Sequence, residues 1–311
     1  MKLSIVATLY KSEPCLVEFY SRASLAAQQL VGDDYEIVFV NDGSPDDSLE
    51  VAIELTKSVN GSHLTVIDLS RNFGHHKAMM AGLEHSNGEL VFLIDSDLEE
   101  DPAWLLEFSS AMSTESADVV YGVQSTRKGN LFERWSGRLY YSIFNYLAEL
   151  QIPPNMVTAR LMSRRFVDSL LRFKERELVI GCLWVYTGYK QCAYNVDKNS
   201  KGSSSYTFTK KLDLFVLSIT SFSDVPLKIG FYFGFTVSIV SLIFGFLLVY
   251  NRFTTGAAVD GWTSVMVSIW LLGGVLIFFI GLVGLYISKI FTETKQRPLT
   301  ITREIYGRSK C

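Results

Sequence analysis

The first part of the chain alternates short apolar runs with amphipathic stretches. The apolar runs are rich in valine and isoleucine and are bounded by turn residues, which predicts β-strands at Leu3–Leu9, 36–40, Leu64–Leu69, 89–94 and 118–121. The stretches between them predict helices at 14–30, 45–59, 76–85 and 102–112. Nearly continuous apolar strands separated by helices are typical of a sheet covered on both faces. The pattern therefore predicts an α/β fold with a Rossmann-like, mostly parallel sheet.

Two longer stretches further along, 229–250 and 262–288, carry no charged residue. At about 1.5 Å rise per residue, a helix over either stretch would cross the roughly 30 Å hydrocarbon core of a bilayer. Lys228 precedes the pair, and lysines and arginines follow from Lys289 onward. By the positive-inside rule, both flanks and both termini lie in the cytoplasm. This predicts a C-terminal two-helix transmembrane hairpin, and hence a multi-pass protein of the inner, cytoplasmic membrane.

Composition agrees with a membrane-anchored chain, because 48% of its 311 residues are hydrophobic. The net charge of -3, without a basic stripe, argues against a nucleic-acid partner. Four scattered cysteines without a CxxC pair favour a reducing compartment, and the start of the chain lacks the apolar region of a signal peptide. The predicted divisions are an α/β domain (1–210), a juxtamembrane helix (211–228), the two spans within 229–288 and a cytoplasmic tail (289–311).

Polar residues follow several predicted strands, at the edge where ligands bind in such sheets. Neither GxGxxG nor GxxxxGK[ST] is present, which disfavours a dinucleotide-binding or P-loop protein. Instead Asp95 and Asp97 directly follow the apolar run 89–94, and Asp42 ends another strand. Two such carboxylates can approach one Mg2+ or Mn2+ ion, with Glu99 as a third or water-mediated ligand and diphosphate oxygens completing the shell. The alternative is a solvated acidic turn.

Several short motifs follow one another along the chain. They are residues 6–10 with Glu13, 41–44, 71–74 with Ala78, 95–98, 160–162, and 284–287 with Arg297 and Pro298. In this order and spacing they resemble glycosyltransferase family 2, which has the GT-A fold. More narrowly they resemble the polyprenyl-phosphate hexose synthases, which include dolichyl-phosphate mannose synthase and the bactoprenol glucosyltransferases. The resemblance covers nearly the whole chain.

The resemblance implies a role for residues of each motif. It makes Asp97 and Arg160 catalytic, and it assigns the metal to Asp95, Asp97 and Glu99, the last standing where the family commonly has Gln. It assigns the acceptor phosphate to Arg127, Lys201 and Ser204. It places the sugar nucleotide against Ala7, Thr8, Leu9, Tyr10, Glu13, Asp42, Arg71, Asn72, Gly74, Lys77, Asp95 and Ser96.

Two departures from the family concern the acceptor side. Ala159 stands where the family has an acidic residue, and Ser205 stands where it has a lysine. A sugar hydroxyl needs a general base, whereas a phosphate oxygen is already anionic at pH 7 and needs only positioning. The missing acid therefore favours a phosphate acceptor, steered by cations such as Arg160, Arg127 or Lys201.

The sequence thus predicts a metal-dependent, inverting glycosyltransferase that moves a hexose from a UDP- or GDP-sugar to a polyprenyl (undecaprenyl) phosphate at the cytoplasmic membrane face. One alternative is a transferase that adds a sugar to a hydroxyl of a lipid-linked O-antigen or polysaccharide. Another is a catalytically degenerate membrane scaffold. The family resemblance also implies a homo-oligomer. Residues 131–150 predict either core packing or a helix lying on the membrane, and the resemblance favours the second. His75 and His76 predict a supporting or surface role.

Overall fold

The structure, a computed structural model, describes residues 1–57, 63–124, 152–176, 178–198, 223–255 and 261–307. The chain forms two compact units. One unit contains the N-terminal part as far as residue 205, apart from 146–149, together with everything from residue 297 onward. The other contains 146–149 and 206–296. The α/β domain was predicted to end at residue 210. The corresponding unit also includes the chain from residue 297 onward.

The first unit is built from eight strands and six helices among the described residues. The strands are β1 (Leu3–Leu9), β2 (Tyr35–Asn41), β3 (Leu64–Leu69), β4 (Leu90–Leu93), β5 (Val119–Gln124), β6 (Met156–Ser163), β7 (Gln191–Val196) and β8 (Thr302–Tyr306). The helices are α1 (Glu13–Val31), α2 (Ser48–Lys57), α3 (His75–His85), α4 (Trp104–Glu115), α5 (Arg164–Leu170) and α6 (Ile180–Tyr186). The five predicted strands and four predicted helices are confirmed to within three residues.

All eight strands form one sheet, in the order β7-β5-β6-β4-β1-β2-β3-β8. The pairs β1–β2, β1–β4, β2–β3 and β5–β7 are parallel, whereas β6 and β8 run against their neighbours. The α/β, mostly parallel prediction is confirmed, and the two antiparallel strands are additions to it. The chain order turns back between β1 and β4, which is the switch point where open α/β sheets bind ligands.

Small residues let the helices lie close to the sheet. All seven residues of β1 and of β2 are buried, so both faces of these strands are covered. A Cβ atom at Gly82 of α3 would lie only 2.4 Å from a methyl carbon of Val6, so this helix approaches β1 more closely than a larger residue would allow. This packing fixes the strand ends, and with them the loops that carry the acidic residues.

The end of the chain supplies the edge strand β8, which pairs antiparallel with β3. The carbonyl of Ile301 accepts the amide of Ser70 (2.8 Å), and the guanidinium of Arg303 lies 3.2 Å from the buried carboxylate of Asp68. An uncovered β3 would present unpaired backbone groups, and β8 satisfies them. Within the predicted cytoplasmic tail (289–311), residues Thr302–Tyr306 therefore belong to the sheet of the α/β unit.

The second unit contains α7 (Val225–Thr255) and α8 (Trp262–Thr294). Among the described residues, one helical stretch, Ser268–Thr294, is long and apolar enough to cross a membrane, and none of its most apolar window is buried. A shorter apolar stretch covers Val225–Ser241. The described residues thus support one helix of membrane length. The hairpin with two spans stays a prediction.

The predicted juxtamembrane helix (211–228) is only partly described. Residues 211–222 lie outside the described part of the chain, as do 131–150. The remaining residues do not form a helix of their own, because α7 begins at Val225 and continues through them.

Candidate active site

The loops after β1 and β4 are tied together by the serine between the two aspartates. Ser96 is buried, and its hydroxyl donates to the carbonyl oxygen of Thr8 (2.7 Å) and lies 2.8 Å from the hydroxyl of Ser12. These contacts fix the Asp95–Asp97 turn at the switch point of the sheet. The side chain of Ser96 therefore holds the turn, whereas we predicted a nucleotide contact for it.

His75, at the start of α3, bridges the ends of β1 and β4. Its Nδ1 lies 3.0 Å from the hydroxyl of Thr8, and its Nε2 lies 3.2 Å from Oδ1 of Asp95. Burial alone would raise the pKa of Asp95, but His75 and the more distant Lys198 hold that pKa below its ordinary value. Asp95 is therefore a carboxylate at neutral pH. The supporting role predicted for His75 agrees with this position.

The second aspartate lies in a tight turn. Asp97 Oδ1 accepts the amide of Glu99 (2.9 Å), and Leu98 between them has a φ of 59°, a conformation that costs a side-chain-bearing residue energy. The carboxylate of Glu99 lies 3.2 Å from Nζ of Lys198. Within the described ranges, no three His, Cys, Asp or Glu side chains converge as a preformed metal cluster. The predicted three-ligand set is therefore not assembled, because Glu99 pairs with Lys198.

The two aspartates nevertheless fit a hard divalent cation. Asp95 is anionic. Partial desolvation within the turn raises the pKa of Asp97, although the side chain keeps an exposed surface; the Glu99 amide opposes this shift and the Asp95 charge adds to it. A nearby cation would reverse that shift, because opposite charge favours the carboxylate form. Mg2+ commonly uses one or two carboxylates and takes its other ligands from water and substrate phosphates. Asp95 and Asp97 match this kind of site without a third side chain.

A buried carboxylate that the sequence analysis did not single out lies directly behind the turn. Glu100 has 0% exposure, and its Oε1 accepts the amide of Thr158 (3.0 Å) and lies 3.6 Å from Nζ of Lys198. Burial and the charge of Asp95 raise the pKa of Glu100 to about 7. Glu100 thus links the turn after β4 to the start of β6. Its place in a run of five acidic residues over 95–101 gave no signal that it is buried.

Arg160 lies in β6 opposite Leu93 of β4, and its side chain is fully buried. Its Nε and Nη2 donate to the carbonyl oxygens of Thr158 and Val157, both at 3.1 Å, and its guanidinium lies over the ring of Trp184. In this structure the guanidinium of Arg160 therefore holds the start of β6, whereas we predicted a catalytic role for it.

Asp42 joins the loop after β2 to the loop after β3. It is buried, and its two carboxylate oxygens accept the amides of Phe73 (2.7 Å) and Gly74 (3.0 Å). Burial raises the pKa of Asp42, and these two hydrogen bonds oppose that change. We predicted a nucleoside contact for Asp42. In the structure its carboxylate fixes the loop 71–74, which lies at the same edge of the sheet as the Asp95–Asp97 turn.

Gly43 allows these two loops to meet. Its φ is 59°, and a Cβ atom there would lie 2.6 Å from the backbone nitrogen of Asn72 and 2.7 Å from the carbonyl carbon of Arg71. We expect Gly43→Ala to lower the free energy of unfolding by about 1–2 kcal/mol through φ and by about 1–3 kcal/mol more through the clash. Gly188→Ala is the control, because its φ is 76° and its Cβ would have open space. Equal losses in thermal denaturation would contradict the close approach.

The other predicted residues divide into core and rim. Ala7 and Leu9 have buried side chains packed in the core, so only their backbone can face a ligand. The exposed rim contains Tyr10, Glu13, Arg71 and Asn72, with Lys77 partly buried on α3. The three residues predicted for the acceptor phosphate, Arg127, Lys201 and Ser204, lie outside the described residues.

A cavity of about 270 Å³ opens at the same edge of the sheet, beside the acidic turn. The described residues that line it are mostly polar: Glu100, Gln124, Asn155, Met156, Val157, Thr158 and Lys198. They come from the turn after β4, the end of β5, the start of β6 and the segment after β7. The acidic turn and the cavity therefore form one continuous polar region beside the switch point.

The α/β sheet of this order, with an Asp-x-Asp turn after β4, agrees with the GT-A-like fold that the resemblance implied. The profile described as glycosyl transferase family 2 matches residues 4–171, more than half of the chain. The chain belongs to glycosyl transferase family 2.

Three comparisons show what the chain is similar to. A Mycobacterium tuberculosis protein assigned to the glycosyltransferases is 49% identical over 307 residues, which are 99% of this chain and 89% of that one. The bactoprenol glucosyl transferase of Shigella phage SfV is 33% identical over 97% of this chain and 98% of its own. Among solved structures, the mannosyltransferase PcManGT from Pyrobaculum calidifontis, in complex with GDP-Man and Mn2+, is 17% identical, with a TM-score of 0.45 over 62% of this chain and 55% of that one.

Proposed function

We propose that this protein transfers a hexose, with inversion, from a UDP- or GDP-sugar to a polyprenyl phosphate at the cytoplasmic face of the membrane. The observation that carries the proposal is the Asp95–Asp97 turn, held at the switch point by Ser96 and His75. A cation bound there would act as a Lewis acid on the diphosphate leaving group. Asp95 and Asp97 are the residues that would hold it, and Mg2+ or Mn2+ suits their hard oxygens.

The chain's own residues prepare the donor side. His75 and Thr8 orient the Asp95 carboxylate, and the strained turn at Leu98 presents Asp97 outward. Asp42 fixes the loop 71–74, whose exposed Arg71 and Asn72 border the crevice for the nucleotide. These contacts leave little to reorganise when a sugar nucleotide binds, which is how fixed groups lower a reaction barrier.

A lipid phosphate suits the acceptor side. Ala159, at the position of the family acid, is buried in the core, so it offers no base to a sugar hydroxyl. A phosphate acceptor needs no such base, because it is anionic at neutral pH. Relatives that are about one-third identical over almost the whole chain are named bactoprenol glucosyl transferases, which supports an undecaprenyl phosphate acceptor.

The connectivity supports the predicted hairpin with spans at 229–250 and 262–288. Strands β1–β7 and β8 belong to one sheet, but the chain between residues 206 and 296 forms the other unit. Strands that are hydrogen-bonded in one sheet lie on one side of a membrane, so the intervening chain crosses it an even number of times. If Ser268–Thr294 crosses once, α7 makes the second crossing. The basic flanks favour a cytoplasmic location for the α/β unit and both termini.

A product assay tests the proposed function. Detergent-solubilised full-length protein is offered labelled UDP-glucose or GDP-mannose with Mn2+, and undecaprenyl phosphate or a lipid-linked saccharide. We expect one of the two donors to label undecaprenyl phosphate. NMR of the product should show that the anomeric configuration is inverted relative to the donor. No product should form in EDTA.

Each other outcome of this assay changes a different part of the proposal. Transfer only to the saccharide would favour the hydroxyl acceptor. Full activity in EDTA would contradict the metal site. Failure to bind any sugar nucleotide, measured by thermal shift, would favour the scaffold.

A further inference from the structure

Lys198 is a cation at the edge of the cavity beside the acidic turn. It follows β7, and its side chain is 20% exposed. Its Nζ lies 3.2 Å from Oε2 of Glu99 and 3.6 Å from Oε1 of Glu100. Burial opposes its charge, but Glu100 and Asp95 raise the pKa of Lys198, so it is an ammonium at neutral pH.

The surroundings of Lys198 contain more negative than positive charge. Asp95, Asp97, Glu99 and Glu100 all lie within the same turn. Arg160 is fully buried and binds two carbonyl oxygens, so it does not reach the cavity. Among the described residues that line the cavity, Lys198 is the only cation.

We propose that Lys198 binds the phosphate of the acceptor. This inference rests on the proposed function, and it names the residue on the acceptor side of that same site. Glu99 and Glu100 each take one contact of the ammonium. Lys carries three N–H groups on a flexible stem, so a donor remains for an anion in the cavity.

The rest of the cavity suits a small polar headgroup. Gln124, Asn155 and Thr158 line it and are residue types with neutral hydrogen-bond donors. Its volume of about 270 Å³ lies just below the range of roughly 300–1,000 Å³ that encloses drug-sized ligands. It is therefore large enough for a phosphate headgroup but too small for a polyprenyl chain, which would remain outside.

Binding of farnesyl phosphate and of farnesol to the full-length protein in detergent tests this assignment. Calorimetry is performed with the nucleoside diphosphate of the identified donor and Mn2+ present, and the difference between the two ligands isolates the phosphate. We expect wild type to prefer farnesyl phosphate by about 10-fold or more, the size of one charge-assisted hydrogen bond. Lys198→Met removes that preference, and Lys198→Arg retains most of it. The affinity for the nucleotide stays within about twofold of wild type in both variants.

Controls separate this role from a structural one. Lys190→Met removes an exposed lysine near Glu115 and leaves the preference unchanged. Lys198→Gln repeats the test if the methionine variant has a lower Tm. A preference that survives in both Lys198→Met and Lys198→Gln, or a loss confined to nucleotide affinity, overturns the assignment. A wild-type protein that binds both ligands equally overturns the phosphate acceptor, and with it the proposed function.

Discussion

Replacing Asp97 with Asn is expected to reduce kcat by about 100-fold to 1,000-fold, the range seen when one electrostatic contact to developing charge is removed. Asp97 is exposed at the turn after β4, so the amide fits without disturbing the core. Asparagine keeps the size of the side chain and an oxygen that can accept the amide of Glu99. It removes the negative charge that would attract a divalent cation. Without the cation, the diphosphate of the donor would also bind less well.

Three measurements separate this effect from damage to the fold. The Tm without ligand is expected to stay within about 2 °C of wild type, because surface substitutions usually change stability by less than about 0.5 kcal/mol. The Mn2+-dependent rise of the Tm in the presence of nucleotide should disappear. Asp101→Asn is the matched control, since it changes an acid of the same run that accepts the amide of Ala103. Similar losses of turnover in both variants would contradict the assignment of the metal to Asp97.

Substitution of His75 is expected to have a smaller effect on metal binding, because His75 supports the Asp95 carboxylate and is not itself a proposed ligand. His75 contacts Asp95 and Thr8 but does not itself belong to the turn. Partners of ligating carboxylates typically change metal affinity by about 10-fold to 100-fold. The geometry therefore predicts that substitution at Asp97 weakens metal-dependent activity most, substitution at His75 less, and substitution at Asp101 least.

Much of the fold could be predicted because periodicity and turn chemistry are local. β1 and β2 are buried on both faces, so their apolar runs are continuous and their ends are well marked. β8 was missed because a five-residue edge strand, half exposed and far along the chain, gains its partner β3 only in the folded sheet. β7 was missed for the same reason, since it is the other edge strand and only its last residue is buried. β6 lies inside the sheet, but Thr158 and Arg160 interrupt its apolar run.

The site was predictable as a region but not as a set of contacts. The positions of Asp95, Asp97 and Asp42 at strand ends follow from local pattern. The local pattern does not indicate which carboxylate is buried, because the burial of Glu100 depends on β6 and on the segment after β7. Glu100 and Lys198 meet across about 100 residues of chain.

Arg160 shows how the physical environment decides a role. The family resemblance implied a catalytic Arg160, and its charge suggested that it steers the acceptor phosphate. The structure instead uses its guanidinium to satisfy two carbonyl oxygens at the start of β6. A planar guanidinium can bind both oxygens and stack on an aromatic ring at the same time, which an ammonium cannot do. The position therefore selects Arg for its shape as well as for its charge.

Arg160→Ala is accordingly expected to destabilise the protein by about 3–5 kcal/mol, since it opens a cavity and removes a buried charge that faces Glu100. At about 2–4 °C per kcal/mol, the Tm of the detergent-solubilised protein should fall by roughly 10 °C. Arg160→Lys should recover part of this loss, because it restores the charge but not both hydrogen bonds. Arg22→Ala is the control, an exposed partner of Glu18 worth about 0.5 kcal/mol. An Arg160→Ala protein with the wild-type Tm and no turnover would instead restore Arg160 to the catalytic residues.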